Sequence, residues 1–257
     1  MSRYDFRSPR LFVDDPLAAG GTVPLDPDQA NYLGNVLRLR AGGEVLLFNG
    51  RDGEWRATLA GGKKLRAAEV EACLRPQPLP GDLHLLFAPL KHARLDYMVQ
   101  KAVEMGVSRL QPILTRHTQV ARVNGERMRA NAIEAAEQCG ILAVPEVAAP
   151  LDLAAIAFEP GRIYVFCDED AEVADPLTAL AALRPQPSAL LPLAAPPEAP
   201  KLAVLIGPEG GFSQEERERL CAVPGTVRIA LGPRILRADT AAVAALTLVQ
   251  AVLGDWN

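Results

Sequence analysis

The chain has 257 residues, of which 49% are hydrophobic and 23% are charged, and its formal net charge is −4. This composition is typical of a globular protein long enough for one large or two unequal domains. It excludes nucleic-acid binding over the whole surface, which needs clustered Lys and Arg. No run of about 18 apolar residues could span a bilayer, and residues 1–20 lack the apolar core of a secretory signal, so we expect a cytoplasmic protein with no membrane partner.

Residues 1–75 are predicted to form a small β-rich domain. Short segments rich in strand-forming residues are separated by Gly-Gly and Asp-Gly turns, which is typical of a partly closed barrel. One helix is expected over 26–39, with Asp26 as its N-cap. The apolar residues expected on one face of this helix are Leu33, Val36 and Leu37. The predicted strands are 10–13, 44–50, 54–60 and 65–73.

The pattern changes after residue 75, and three prolines in 75–81 place a domain boundary there, giving domains 1–75 and 76–257. Apolar strands now alternate with helices, which is typical of an α/β fold with a mainly parallel sheet. The predicted strands are 83–89, 108–114, 162–168, 201–207 and 226–232. The predicted helices are 93–106, 125–140, 175–183, 213–222 and a last one after Ala238 that is apolar on every face. Residues 184–200, with six prolines, are expected to form an exposed loop.

The cysteines and histidines do not predict a metal or redox site. Four cysteines lie far apart without a Cys-x-x-Cys pair, so they are interpreted as buried, reduced thiols. The cysteines are Cys73, Cys139, Cys167 and Cys221. Three scattered histidines are too few to indicate a metal site, so structural or surface roles are expected. These are His84, His92 and His117.

A glycine-rich stretch, "LIGPEGGFSQEE" (205–216), follows a predicted strand directly. Glycines at the carboxyl end of a parallel strand allow the backbone to approach a ligand, while Ser213 and Glu216 fit a capping box that fixes the start of the next helix. The stretch lacks the Lys and Ser/Thr of a phosphate loop and the glycine spacing of dinucleotide folds. Either a ligand loop or a plain structural turn is consistent with the pattern.

A second stretch, "LGPRILRADTAA" (231–242), repeats this arrangement one strand later along the chain. We expect the two loops to come from neighbouring strands and to form one pocket. Arg234 and Arg237 lie where a polar or anionic substrate would arrive, although capping or salt-bridge roles are an alternative. A third segment, 109–129, has five arginines against the single carboxylate of Glu126 and is either a local nucleic-acid patch or a solvated face.

Several of these segments together resemble the RsmE-type 16S ribosomal RNA uridine N3-methyltransferases of the SPOUT superfamily. The resemblance spans nearly the whole chain. Its motifs are "RLFVDD" (10–15), "NYLGNVLRLRAGGEV" (31–45), "KHARLDYMVQKAVEMGVSRLQPILTRHT" (91–118), "NAIEAAEQCG" (131–140), "LIGPEGGFSQEE" and "LGPRILRADTA" (231–241), with Asp239 where the family usually has Glu.

The resemblance implies a PUA-like N-terminal RNA-binding barrel, a SPOUT-type parallel sheet with a C-terminal trefoil knot, and a homodimer formed through the knotted domain. It also implies S-adenosyl-L-methionine as cofactor and 16S ribosomal RNA, or the small ribosomal subunit, as partner. The cofactor-binding residues that it implies are Leu205, Ile206, Gly207, Glu209, Gly210, Gly211, Leu231, Gly232, Ile235, Leu236 and Thr240. The residues expected to contact RNA are Arg10, Arg38, Arg40, Arg109, Arg116 and Arg122.

Transfer of a methyl group to uridine N3 requires loss of the N3 proton and stabilisation of negative charge on the uracil oxygens. We assign the second task to Arg234 or Arg237, and Glu209 is a weaker candidate for the first. Three other functions stay open: a non-catalytic RNA-binding or ribosome-assembly protein on the same scaffold, a SPOUT methyltransferase acting on another RNA atom, and a nucleotide-dependent oxidoreductase.

Overall fold

The computed structural model describes residues 8–62, 64–79, 81–120, 122–172, 175–184 and 200–256. Contacts divide these residues into two compact units. The first contains the chain up to Leu79 together with Ile133–Val144, and the second contains the remaining described residues. The predicted boundary between residues 75 and 76 lies four residues before the end of this first segment at Leu79. The sequence did not predict that Ile133–Val144 would also belong to the first unit.

The first unit is built on one five-stranded sheet with the strand order β1-β3-β4-β5-β2. All its pairings are antiparallel except that of β1 with β3. The strands are β1 (Arg10–Phe12), β2 (Thr22–Pro24), β3 (Glu44–Phe48), β4 (Glu54–Gly61) and β5 (Leu65–Arg75). Residues that alternate inward along these strands form an apolar core, which includes Val45, Leu47 and Leu59. The short strand β2 was not predicted.

The single helix predicted over 26–39 is wrong in its length and form. Helix α1 covers only Pro27–Asn31, where Asp26 and Gln29 form a capping box, and a π-helix follows at Tyr32–Val36. A π-turn holds more residues than an α-turn, so positions spaced for an α-helix no longer share a face. Of the three apolar residues expected to pack together, Leu33 is buried, whereas Val36 is 62% and Leu37 37% exposed.

The second unit contains a parallel sheet in which the main path of strands is β12-β10-β11-β6-β7-β8. All its pairings are parallel, including that of the small strand β9 with β7. The strands are β6 (Leu83–Phe87), β7 (Arg109–Leu114), β8 (Glu146–Val147), β9 (Leu151–Asp152), β10 (Ile163–Cys167), β11 (Leu202–Ile206) and β12 (Thr226–Ile229). Strands β8 and β9 were not predicted.

The remaining helices connect these strands and confirm the predicted alternation. They are α2 (His92–Glu104), α3 (Gly125–Cys139), α4 (Pro176–Ala181), α5 (Gln214–Cys221) and α6 (Ala238–Val252). Side chains from the central strands and from helices form cores in which Phe166, Leu205 and Phe212 are almost fully buried. Within the described ranges, none of the helices is both long and apolar enough to cross a membrane. The loop predicted over 184–200 falls outside the described residues, apart from its two end residues.

The prediction that all four cysteines are buried is wrong. Cys73, Cys139 and Cys221 are exposed, and Cys167 is partly buried at the end of β10. Cys73 lies on β5, and Cys139 and Cys221 lie at the last residues of α3 and α5, where the side chain reaches solvent.

Candidate functional site

The carboxyl ends of the parallel strands β10, β11 and β12 form one site in the second unit. Strands β11 and β12 lead into the two glycine-containing segments, which we call the first loop (residues 207–213) and the second loop (residues 230–237). The expectation that their strands are neighbours is wrong, because β10 lies between β11 and β12. The two loops therefore meet over the end of β10, as expected for ligands bound at the carboxyl edge of a parallel sheet.

A cavity of about 220 Å³ lies between these loops. Its walls combine apolar side chains with glycine and proline backbone. The lining residues are Cys167 at the end of β10, followed by Asp168 and Glu169; Ile206 at the end of β11, followed by Gly207, Pro208 and Glu209; Leu231, Gly232, Pro233, Arg234, Ile235 and Leu236 from the second loop; and Ala238 and Ala241 from α6. The residues following β10 were missed because the sequence does not reveal which strand lies between the loops.

The first loop is closely packed. A Cβ added to Gly207 would lie 2.5 Å from the ring of Phe212, and one added to Gly211 would collide with the Glu169 carboxylate. Gly211 also has φ of +68°, a conformation that favours glycine. The predicted capping box is confirmed, since the Ser213 side chain accepts from the Glu216 amide and the Glu216 side chain accepts from the Ser213 amide. These constraints fix the loop before any ligand binds.

The second loop is open by comparison. Gly232 has φ of +100°, and among the described residues, its chain neighbours apart, none has an atom within 4 Å of the position that its Cβ would occupy. Ile235 is 91% exposed although it lines the cavity. Arg234 lines the cavity as well, whereas Arg237 is the N-cap residue of α6 and does not line it. Apolar surface of this kind becomes buried only when something fills the cavity.

One arginine connects the first loop to the start of α6, the helix that follows the second loop. Arg94, near the start of α2, donates from Nε and Nη2 to the two carboxylate oxygens of Asp239, at 3.0 and 2.9 Å. Its Nη1 donates to Glu209 of the first loop. The hydrogen bond from Arg94 lowers the pKa of Asp239, so this carboxylate stays charged at neutral pH. Arg94 lies within the motif 91–118, but its role was not predicted, because its partners are more than 100 residues away.

The bottom of the cavity carries charges that are already compensated. Asp168 is 2% exposed, and its carboxylate accepts from Arg217 Nε at 3.2 Å and from Arg228 Nε at 2.8 Å. Its oxygens lie within 4.8 Å of those of Glu169 and Asp170. Beside them, burial raises the pKa of the Cys167 thiol to about 12. The thiol therefore remains protonated and is a poor nucleophile toward an alkylating ligand.

The structure brings together most of the predicted cofactor residues. Those that line the cavity are Ile206, Gly207, Glu209, Leu231, Gly232, Ile235 and Leu236. Four others do not line it: Leu205 is fully buried in the core, Gly210 and Gly211 face His117 and Glu169, and Thr240 is exposed on α6. Glu209, the candidate base, lines the cavity but already accepts a hydrogen bond from Arg94.

The predicted RNA-contacting arginines lie in different environments. Arg10 is 7% exposed and its Nε donates to Glu54 Oε1 at 2.8 Å, which corrects the expectation that it is available to RNA. Arg109 is bound to Glu146 at 2.7 Å. The remaining predicted contacts, all exposed, are Arg38, Arg40, Arg116 and Arg122. Because Arg127 of the same basic segment is also bound, to Asp96, carboxylates neutralise part of the predicted patch.

Comparison with known proteins agrees with this geometry. Residues 77–250 match the RNA methyltransferase domain family, and residues 25–70 match the RNA methyltransferase PUA domain. Ribosomal RNA small subunit methyltransferase E of Synechocystis sp. is 31% identical over 95% of this chain and 78% of its own length. The enzyme of the same name from Rickettsia conorii is 28% identical over 94% of both chains.

Two solved structures have the same fold. The small subunit methyltransferase E of Neisseria gonorrhoeae, bound to S-adenosyl methionine, superposes with a TM-score of 0.79 and 27% identity over 98% of this chain and 100% of that chain. A putative methyltransferase of Legionella pneumophila, in complex with the same cofactor, has a TM-score of 0.76 and 30% identity over 95% and 98% of the two chains. The cavity-forming loops, the matched domains and the full-length relatives agree: this chain belongs to the ribosomal RNA small subunit methyltransferase E family of RNA methyltransferases.

Proposed function

We propose that this protein transfers a methyl group from S-adenosyl-L-methionine to N3 of a uridine in 16S ribosomal RNA, and that the cavity between the first and second loops holds the methyl donor. The observation that supports this most strongly is the cavity itself, which is walled by backbone and apolar side chains at the carboxyl edge of the sheet. The specific uridine is expected near the 3′ end of that RNA, in the decoding region, by family resemblance.

The residues of the cavity fit such a donor in three respects. Ile206, Leu231 and Leu236 offer apolar surface to a planar base, and the open space at Gly232 allows close approach to the backbone. The carboxylates of Glu169 and Glu209, which are paired with Arg217 and Arg94, also line the cavity, and carboxylate oxygens are better partners for a positive sulfonium than for a polyphosphate. When bound, the cofactor supplies a methyl group on positively charged sulfur.

The protein's own contribution is to hold the reacting groups in line and to stabilise the charge that develops on the RNA base. Arg234 lines the cavity at its exposed side, so its guanidinium can approach the uracil oxygens as N3 loses its proton. Arg237, the last residue of the second loop, occupies the N-cap position of α6 without a side-chain cap hydrogen bond, and its exposed side chain is suited to an RNA phosphate. Glu209 is a less suitable base than expected, since Arg94 already occupies one of its oxygens.

Because N3 is on the pairing edge of uracil, the target base must be unpaired or extruded. The exposed arginines of both units are the candidates to bind the surrounding phosphates: Arg38, Arg40, Arg116 and Arg122. Binding through such contacts releases counterions, so affinity for RNA should fall steeply as salt rises. An affinity unchanged between low and moderate salt would contradict this assignment.

We further propose, from the family resemblance, a homodimer, a trefoil knot around the second loop and a cytoplasmic location. Helix α6 is compatible with a dimer interface because it retains partly exposed apolar positions, including Val243 and Leu248. Sedimentation of the purified chain tests the dimer directly, and a monomer at micromolar concentration would contradict it.

The decisive experiment supplies isotopically labelled S-adenosyl-L-methionine with small ribosomal subunits or with naked 16S RNA from cells that lack this gene. Mass mapping of modified nucleosides should reveal one new N3-methyluridine. Methylation at another atom would point instead to a related specificity, and RNA binding without any transfer would favour an assembly factor. Calorimetry with NAD completes the comparison, because binding of NAD in preference to S-adenosylhomocysteine would favour an oxidoreductase.

A further inference from the structure

A four-residue turn after β7 contacts the first loop directly. This TRHT turn, residues Thr115–Thr118, is closed by hydrogen bonds from the Thr115 amide to Thr118 Oγ1 at 2.8 Å and between the two hydroxyls at 2.9 Å. It projects from β7, which is two strands away from β11 in the sheet. The turn therefore contacts the first loop although β6 lies between their two strands, and the sequence alone does not predict this contact.

His117 makes the central contact. Its Nδ1 lies 3.1 Å from the carbonyl oxygen of Gly210 and 3.1 Å from that of Gly211. Carbonyl oxygens only accept hydrogen bonds, so Nδ1 must carry the hydrogen and donate it to both. A Cβ on Gly210 would lie 3.2 Å from the Cβ of His117, so a larger residue at this position would push the imidazole away by a few tenths of an ångström.

A second connection joins the same two segments. The Glu216 carboxylate accepts from the Ser213 amide through Oε2 and from the Arg116 amide through Oε1, each at 2.8 Å. The capping group of α5 is thus also the anchor of the TRHT turn. Within the described part of the chain, the Arg116 side chain has no hydrogen bond or ion pair, so its guanidinium is available to a partner while its backbone is fixed.

We propose that His117 is a positioning residue: it fixes the first loop through the Gly210 and Gly211 carbonyls and, together with the Glu216 anchor, ties that loop to the turn that carries Arg116. This inference rests on the proposed function, since it assigns the first loop to the methyl donor and Arg116 to RNA. A ligand that stabilises the conformation of the first loop then also stabilises the conformation of the TRHT turn, and the reverse holds as well. Binding of the donor and binding of RNA should consequently favour each other, by the reciprocity of linked equilibria.

Two matched variants separate hydrogen bonding from packing. His117→Asn keeps an N–H donor at the position of Nδ1 and removes the ring, whereas His117→Phe keeps a ring and removes the donor. We expect His117→Phe to weaken binding of S-adenosylhomocysteine about five- to tenfold, which is the usual effect of losing one or two neutral hydrogen bonds, and His117→Asn to remain within about twofold of wild type. Equal affinities for wild type and His117→Phe, or equal losses in both variants, would overturn the proposal.

A ligand-free measurement keeps this test independent of the proposed function. The Gly211 amide donates to the Pro208 carbonyl within the first loop, so its hydrogen exchange reports the order of the loop. Exchange at this amide should be faster in His117→Phe than in wild type or His117→Asn. If wild type binds no S-adenosylhomocysteine, the proposed function fails, whereas unchanged exchange in His117→Phe defeats only the role of His117.

The link to RNA has its own test. Arg116→Ala should weaken binding of a 16S RNA fragment and leave affinity for S-adenosylhomocysteine unchanged. In wild type, saturating S-adenosylhomocysteine should tighten RNA binding at least about fivefold, and this gain should be lost in His117→Phe. An identical gain in wild type and in His117→Phe would show that His117 does not connect the two sites.

Discussion

The first and second loops line the same cavity but are stabilised in opposite ways. The first is held by the Phe212 ring, the α5 capping box and the His117 contacts, so its backbone has little freedom. The second presents Ile235 at 91% exposure and open space at Gly232. The contrast indicates that one wall of the cavity is preformed and that the other gains its contacts only from the bound ligand and RNA.

The largest effect is expected from removing Arg234, the exposed arginine of the second loop that lines the cavity. Arg234→Ala should lower kcat about 100-fold at saturating RNA, because a donor to developing charge is lost, while the melting temperature stays unchanged. Arg234→Lys should recover part of the rate. Arg219→Ala is the control: it also removes one positive charge, but Arg219 does not line the cavity, so kcat should not change. Unchanged turnover in both Arg234→Ala and Arg237→Ala would refute the charge-stabilising role of these arginines.

The rigidity of the first loop is tested by Gly207→Ala. The added methyl group would lie 2.5 Å from the Phe212 ring, so either the ring or the backbone must move. Overpacking of this kind costs about 2 kcal/mol, which corresponds to about 30-fold weaker binding of the donor if the strain falls on the loop. Gly81→Ala, at a glycine whose Cβ would have no atom of a described, non-adjacent residue within 4 Å, should bind normally. Normal binding by Gly207→Ala as well would mean that the loop is not preformed.

Removal of Arg94, which connects the first loop to α6, should have a smaller effect. Arg94→Met leaves Glu209 and Asp239 without the guanidinium that donates hydrogen bonds to both. We expect the free energy of unfolding to fall by about 2 kcal/mol and S-adenosyl-L-methionine to bind about tenfold more weakly. Arg94→Lys should recover only part, because an ammonium cannot form the paired hydrogen bonds to Asp239. Lys101→Met, which breaks an ion pair on the same helix, is the control and should change stability by less than about 1 kcal/mol.

The pH dependence of the same pair has a definite sign. Arg94 lowers the pKa of Asp239, so the stabilisation is present above the ordinary carboxyl pKa and is lost as pH falls through the lower, folded value. Urea unfolding should therefore show a wild-type advantage over Arg94→Met at pH 7 that shrinks below about pH 4. An advantage that persists undiminished at pH 2 would show that the pair does not cause it.

The smallest expected effect concerns the exposed apolar side chain of the second loop. Ile235→Ala should leave stability within about 0.5 kcal/mol, since the side chain packs on little protein, but should weaken donor binding about threefold if the ligand covers it. Leu177→Ala, at a side chain that is 49% exposed on α4, should affect neither quantity. A large loss of stability in Ile235→Ala would mean that the second loop is already packed without a ligand.

The sequence predicted the local structure well wherever periodicity and capping determine it. The alternation of strands and helices after residue 81, the start of α5 at Ser213 and the two glycine segments all follow from patterns within a few residues. The π-helix at Tyr32–Val36 does not, because its residues have the apolar spacing of an ordinary α-helix. Apolar spacing alone therefore cannot distinguish a short π-helix from the α-helix that is far more common.

The sequence could not predict the contacts that are set by the order of strands in the sheet or by residues far apart along the chain. The residues after β10 line the cavity because β10 lies between β11 and β12, an order that chain connectivity hides. Arg10 looked like an exposed cation, yet its partner Glu54 lies 44 residues away. Arg94 and His117 act on segments about 90 to 145 residues distant, so no spacing rule could assign them.

The shared guanidinium of Arg94 also constrains how this site can evolve. Its two carboxylate partners belong to the first loop and to the first turn of α6, so loss of the arginine leaves both carboxylates without their counterpart, whereas loss of one carboxylate leaves a single ion pair. Viable change there requires compensation, and in homologous chains residues 94, 209 and 239 should covary as a set. A chain that loses the arginine is therefore expected to have lost its acidic partners as well.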